Sequence, residues 1–143
     1  MKRFCIPVAL LLLLSACDKE TETPPCGPVI TPWGEALIPP HGDDFGLYSA
    51  EVSGHCLTVE IGTSGCSSAY WTVELLTHGI QPANLPPGVT ATLSLDDGVA
   101  EDAPNCLALV SETYSFDLRP YTNLDLEHLY LVTPGRVTTL PLN

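Results

Sequence analysis

Positive charge is what this 143-residue sequence has least of: five lysines and arginines stand against seventeen aspartates and glutamates, for a formal net charge of −12. Holding nucleic acid requires clustered cations that displace counterions from phosphate, so nucleic acid is excluded as a partner. Long apolar runs are also missing. The longest uncharged, apolar stretch is Phe4–Leu14, well short of the roughly 20 residues that a membrane-spanning helix needs. No window combines a helical period with helix caps, and no C-x2-C or H-x3-H pair suggests a zinc site. What the chain does have is 45% hydrophobic residues with only 15% charged ones. That is too apolar for a disordered acidic tail, and it predicts one compact domain.

Lys2 and Arg3 precede the apolar run, and Leu14-Ser15-Ala16-Cys17 closes it. A positive start, a short apolar core and small residues before a cut site form the layout of an export signal. The tetrapeptide resembles the lipobox of bacterial lipoproteins. That resemblance covers residues 1–17 and implies three modifications: residues 1–16 leave as a signal peptide, the Cys17 thiol takes a diacylglyceryl thioether, and the new amine is acylated, for example with palmitate. It further implies a membrane as partner, held through covalent lipid on Cys17, and a bacterial cell-envelope location, periplasmic or surface-exposed. At about 0.8 kcal/mol per buried methylene, one acyl chain anchors marginally and two or three anchor durably. Asp18 resembles the inner-membrane retention signal of some lipoprotein families, whereas an acidic stretch there resembles the surface-export signal of others. Both membranes stay open, with the outer one favoured.

Loss of residues 1–16 would leave Lys19, Arg119 and Arg136 against all seventeen acids, a net charge of −14. Such a surface repels anionic headgroups and favours a cationic partner or simple solubility. Residues 17–25 comprise the lipidated cysteine and a polar linker ending in Pro24-Pro25; residues 26–46 hold Pro28, Pro32, Pro39 and Pro40 and read as an extended segment on the surface. Four cysteines remain beyond Cys17, an even number that argues for two disulfides in an exported domain. In Cys56-Leu57-Thr58-Val59-Glu60-Ile61 the apolar residues alternate, placing Cys56 outward with Thr58 and Glu60. An outward cysteine suits a covering segment, so Cys26–Cys56 and Cys66–Cys106 are the expected pairs among the three pairings that four cysteines allow.

Residues 47–143 carry short runs rich in Val, Leu, Thr and Tyr, separated by turn signals such as Ser53-Gly54 and Pro134-Gly135. The candidate strands are Leu47–Val52, Cys56–Gly62, Ala69–Thr77, Val89–Leu95, Cys106–Ser111, Thr113–Leu118, Leu126–Thr133 and Arg136–Leu142. Their period of two predicts half-buried antiparallel strands. The expected fold is all-β: a two-sheet antiparallel β-sandwich of seven to eight strands, stapled by disulfides. It resembles immunoglobulin-like domains in strand number and spacing. Gly65-Cys66, Cys106 and Phe116-Asp117-Leu118 are similar to motifs of small, uncharacterised envelope lipoproteins with such a β-domain, a resemblance of about 60 residues that bears on fold rather than activity.

Candidate chemistry is sparse. Gly62-Thr63-Ser64-Gly65 resembles the surroundings of a serine nucleophile, with His41, His55 and His78 as possible bases, but it lacks the G-x-S-x-G elbow and is better read as a turn. Asp96-Asp97-Gly98 with Glu101 and Asp102 offers the oxygen ligands calcium prefers, without EF-hand spacing. His41-Gly42-Asp43-Asp44 and the isolated His128 read as solvated or structural rather than metal-binding. Trp33, in a proline-rich segment, is either a contact for sugar or protein or a cover for a sheet edge. No catalytic residue, cofactor or metal ligand is assigned. The leading expectation is a lipid-anchored envelope protein that binds another envelope protein as an accessory subunit. The rivals are a calcium-dependent adhesive or glycan-binding module and a small hydrolase or inhibitor.

Overall fold

Leu57, Val59 and Ile61 are fully buried, whereas Thr58 between them faces solvent. This two-residue alternation recurs along the chain and makes strands its main element. In the computed structural model, which describes residues 26–32, 42–80, 86–100, 103 and 106–142, the chain is all-β with two sheets and one helical turn. The strands are β1 (Thr31–Pro32), β2 (Gly46–Ser53), β3 (Cys56–Ser64), β4 (Thr72–Ile80), β5 (Gly88–Asp96), β6 (Leu109–Asp117), β7 (His128–Thr133) and β8 (Arg136–Pro141); the turn α1 is Arg119–Thr122. One sheet runs β1-β4-β5-β7-β8 and the other β2-β3-β6. Residues buried from both sheets, among them Leu57, Ile61, Leu93, Leu95, Leu129 and Leu131, form one hydrophobic cluster.

Three expectations need correction. Not every pair is antiparallel: β1/β4 and β5/β7 are parallel. For β5 and β7 the reason is that β6 lies between them in sequence but belongs to the other sheet. Two reversals bring the chain back in its original direction. Secondly, the runs 106–111 and 113–118 are not two strands. From Leu109 to Asp117 the chain pairs residue for residue with β3, and Glu112, opposite Ile61, is exposed without interrupting the ladder. Thirdly, α1 is a helical turn of four residues, too short to leave a periodic signal; Pro120 suits its first turn, where the missing N–H is not needed. It buries Tyr121, whose hydroxyl hydrogen-bonds the hydroxyl of buried Thr77.

The proline-rich segment is extended where it is described, and it touches both sheets. Val29 bridges Asp117 at the end of β6, and two residues later β1 pairs with β4. Cys26 is held there by its disulfide to Cys56, with a Cα–Cα separation of 5.6 Å, and the second bridge joins Cys66 to Cys106 at 5.0 Å. Both separations lie in the ordinary range for disulfides. Cys56 is outward with Thr58 and Glu60, as its alternation implied. β3 spans its nine residues between the two bridges, about 26 Å at 3.3 Å per step, so the disulfides staple opposite ends. The linker at residues 17–25 and Cys17 lie outside the described residues, as do Trp33, His41, Glu101 and Asp102.

At the Cys56 end, the buried Asp117 carboxylate accepts hydrogen bonds from the Arg119 backbone N–H at 3.0 Å and from Arg119 Nε at 2.6 Å, and pairs with Nη2 of the same guanidinium. The Arg119 side-chain hydrogen bond holds this carboxyl below its ordinary pKa; burial opposes that, while the Arg119 and His55 charges add to it. A lowered folded-state pKa means that the unfolded chain takes up the proton first on acidification. The contribution is therefore complete above the ordinary aspartate value of about 3.9 and is lost as pH falls through the folded value. Urea unfolding between about pH 5 and pH 2 should show a steeper loss of stability for the native protein than for Asp117→Asn. Equal slopes would contradict this assignment.

Candidate functional site

The side chains with most chemical potential gather at the Ser64 end. β5 terminates at Asp96, and Asp96-Asp97-Gly98 folds back on itself because both carboxylates cap nearby backbone: Asp96 Oδ1 accepts from Gly98 N at 2.9 Å and Asp97 Oδ1 from Val99 N at 2.8 Å. Asp side chains favour turns for this reason. Gly98 sits at φ +67°, and a Cβ there would lie 2.9 Å from Tyr70. Gly98→Ala should therefore cost about 1–3 kcal/mol, from left-handed backbone strain and the Tyr70 clash together. An unchanged urea midpoint would rule this out.

Asp43 reaches the same place from far away in sequence. Its N–H donates to Leu95 O at 2.7 Å, and its Oδ2 accepts from Asp97 N at 2.8 Å. Gly42 permits the approach, since a Cβ there would come within 2.8 Å of Leu95 O. One carboxylate oxygen from each of Asp43, Asp96 and Asp97 consequently lies within 4.8 Å of the other two. Like charges about 4 Å apart repel by roughly 1 kcal/mol per pair even in water. The three backbone N–H donors offset part of that repulsion. Asp43 and the pair Asp96-Asp97, which the sequence presents separately, are thus one cluster, without Asp44, whose carbonyl accepts from Thr63 Oγ1 at 2.9 Å.

Beside the acids is an apolar surface that the sequence reading missed. Leu107 is 94% exposed, Tyr70 76%, Leu109 72% and Val99 50%. A shallow concavity of about 220 Å³, lined by Ser64, Gly65, Cys66, Asp97, Val99, Cys106 and Leu107, connects this surface to the acidic cluster. A signal did exist: in an alternating run, Leu107 and Leu109 share a face with Ser111 and Thr113, which is the polar, solvent side. On the far flank Glu112 accepts from Ser68 Oγ at 2.6 Å. Burial pushes the Tyr114 hydroxyl pKa up, and the Glu112 carboxylate adds to it.

The other candidates do not assemble. Ser64 ends β3 while His55 precedes its first residue, which separates them by about 30 Å at 3.3 Å per step. The side chain of His78, like His41, lies outside the described residues. His128 stacks on Tyr130, with ring centroids 6.2 Å apart, and its buried Nδ1 has no hydrogen-bond partner among the described residues. It sits at the Cys56 end of the five-stranded sheet, paired with Pro141. That is remote from the acids.

The five-stranded and three-stranded sheets, stapled at both ends, define a small all-β domain with two disulfides. No family model matches the chain, and no curated protein matches it by sequence. A solved structure of a protein of unknown function from Bacteroides vulgatus, DUF1344, is similar in fold, with a TM-score of 0.51 and 15% identity. The similarity covers 68% of this chain and 46% of that one, so the chain spans about half the length of that protein. At this identity the likeness concerns fold alone.

Proposed function

We propose that this is a lipid-anchored protein of the bacterial cell envelope that acts by binding another envelope protein as an accessory subunit, on an immunoglobulin-like β-sandwich formed by its two sheets. The observation that carries the reading is Leu14-Ser15-Ala16-Cys17 directly behind a short apolar run with Lys2 and Arg3 ahead of it. Two disulfides that use all four remaining cysteines are consistent with an oxidising compartment. The sandwich reading is supported by the single core shared between the sheets, and by a first segment that pairs with one sheet at Asp117 and with the other at Leu76 and Thr77. With Cys17 acylated, the domain is tethered through residues 18–25 to the point where Cys26 is bolted to Cys56.

Two experiments test this. Cys17→Ser should move the protein from the membrane fraction to the soluble fraction, and unchanged fractionation would refute the anchor. Crosslinking in intact cells followed by capture of the full-length protein should return one stoichiometric envelope partner; recovery of only abundant envelope proteins would count against the accessory role.

The convergence of Asp43, Asp96 and Asp97 favours a second reading, in which this end binds calcium within an adhesive or glycan-binding module. On that reading, millimolar calcium raises the melting temperature and Asp97→Asn removes the rise. Identical melting with calcium and with chelator disposes of it.

A further inference from the structure

We propose that the Ser64 end is the docking surface of this protein, and that its occupant is a basic segment of another envelope protein that seats an apolar side chain over the Cys66–Cys106 bridge. The inference deepens the accessory-subunit reading and rests on it.

Soluble domains seldom leave several large apolar side chains exposed together without an interaction to account for them. Here the exposed residues belong to three separate stretches of chain. Tyr70 precedes β4, Val99 follows β5, and Leu107 and Leu109 lead into β6. The fold brings them together: Gly98 packs on Tyr70, Gly65 N donates to Ala108 O at 2.9 Å, and Leu109 pairs with Ser64 across the sheet. The floor between them is rigid, because a disulfide closes it and the β3–β6 ladder runs from it without a break. A preformed apolar surface loses little entropy on binding, which suits it to anchor residues.

The rim identifies the occupant. Asp97 lines the concavity itself, and Asp43 and Asp96 stand beside Asp97. A second copy of this chain would set acid against acid, and an anionic lipid surface would be repelled in the same way. Lysine and arginine on a partner meet complementary charge, which speeds encounter and fixes register while the apolar contact supplies affinity. Position agrees: the tether joins at Cys26, bonded to Cys56, about 26 Å along β3 from this surface. The tether therefore joins at the end of β3 opposite the patch.

The test places a photo-crosslinking amino acid at Leu107 of the full-length lipoprotein in intact cells, with control positions at Glu51 on β2 and Thr139 on β8. Mass spectrometry then maps the joined peptide. The expected result is a crosslink from Leu107 to a protein segment of net positive charge, at a yield at least fivefold above Glu51. The yield should fall at least threefold in Asp96→Asn/Asp97→Asn, which retains side-chain oxygens for both turn hydrogen bonds. It should fall similarly when isolated membranes are irradiated at 500 rather than 50 mM salt, a measurement that needs no variant to fold. Attachment to a second copy, to lipid, or to a neutral or acidic segment overturns the proposal, as does a yield insensitive to both charge removal and salt. Crosslinks to a protein partner from Glu51 or Thr139 but not from Leu107 overturn this surface while leaving the accessory reading intact. Absence of protein crosslinks from all three positions overturns both.

Discussion

Replacing Cys66 and Cys106 together by alanine should lower the stability of the domain by about 4 kcal/mol, the chain-entropy value for a closed loop of 40 residues. In a domain of this size that corresponds to a melting temperature lower by roughly 10–20 °C. The loop encloses β4 and β5, two of the central pieces of the five-stranded sheet. Without the bridge, the unfolded chain regains the freedom of that whole loop, while the native β3–β6 ladder keeps its two ends adjacent. The loss should therefore come from a more expanded unfolded state rather than from rearrangement of the fold. Urea unfolding of the double variant should show a lower midpoint with an undiminished or larger m-value. A change smaller than about 1 kcal/mol would mean that residual structure already closes this loop in the unfolded chain.

Leu131→Ala should have a comparable effect by a different route. Leu131 lies on β7 between β5 and β8, opposite Ala91 on one side and Thr138 on the other, and is fully buried. Two strands and the facing sheet enclose it. Ladder hydrogen bonds hold the neighbouring strands in place, so they close only part of the space that truncation opens. The expected cost is about 2–5 kcal/mol, transfer and cavity together. Leu107→Ala supplies the internal comparison: same chemistry, 94% exposed, and an expected change within about 0.5 kcal/mol. Similar costs for the two variants would contradict the burial pattern of β7.

Much of the fold is legible in particular stretches of sequence. Val89-Thr90-Ala91-Thr92-Leu93-Ser94-Leu95 alternates strictly, and its odd-numbered residues are all buried. The outward position of Cys56 pointed to a bridge with the covering segment at Cys26, and the structure contains that bridge. The break expected at Glu112 is absent: the residue shares a face with Phe116 and stands opposite Ile61, but on this edge strand its carboxylate stays exposed and accepts from Ser68, so the charge does not end the ladder. α1 was invisible because a single turn has no period to detect. For the candidate site, Asp96 and Asp97 were singled out from their own density, but Asp43 was read apart from them, 53 residues earlier in the chain. The apolar surface escaped notice because its residues come from three stretches, none apolar enough alone to draw attention.

By itself, the sequence determined the acidity of the surface, the parity of the cysteines and which residues of each strand face inward. Those properties depend on side-chain chemistry and on a backbone period of two, both of which are local. Only the tertiary structure decided the strand order, the two parallel pairings, the meeting of Asp43 with Asp96 and Asp97, and the gathering of Tyr70, Val99, Leu107 and Leu109 around a disulfide. The physical reason is that any alternating strand can bury its apolar face against many others. Which partner it takes is settled by how all the strands close one core together.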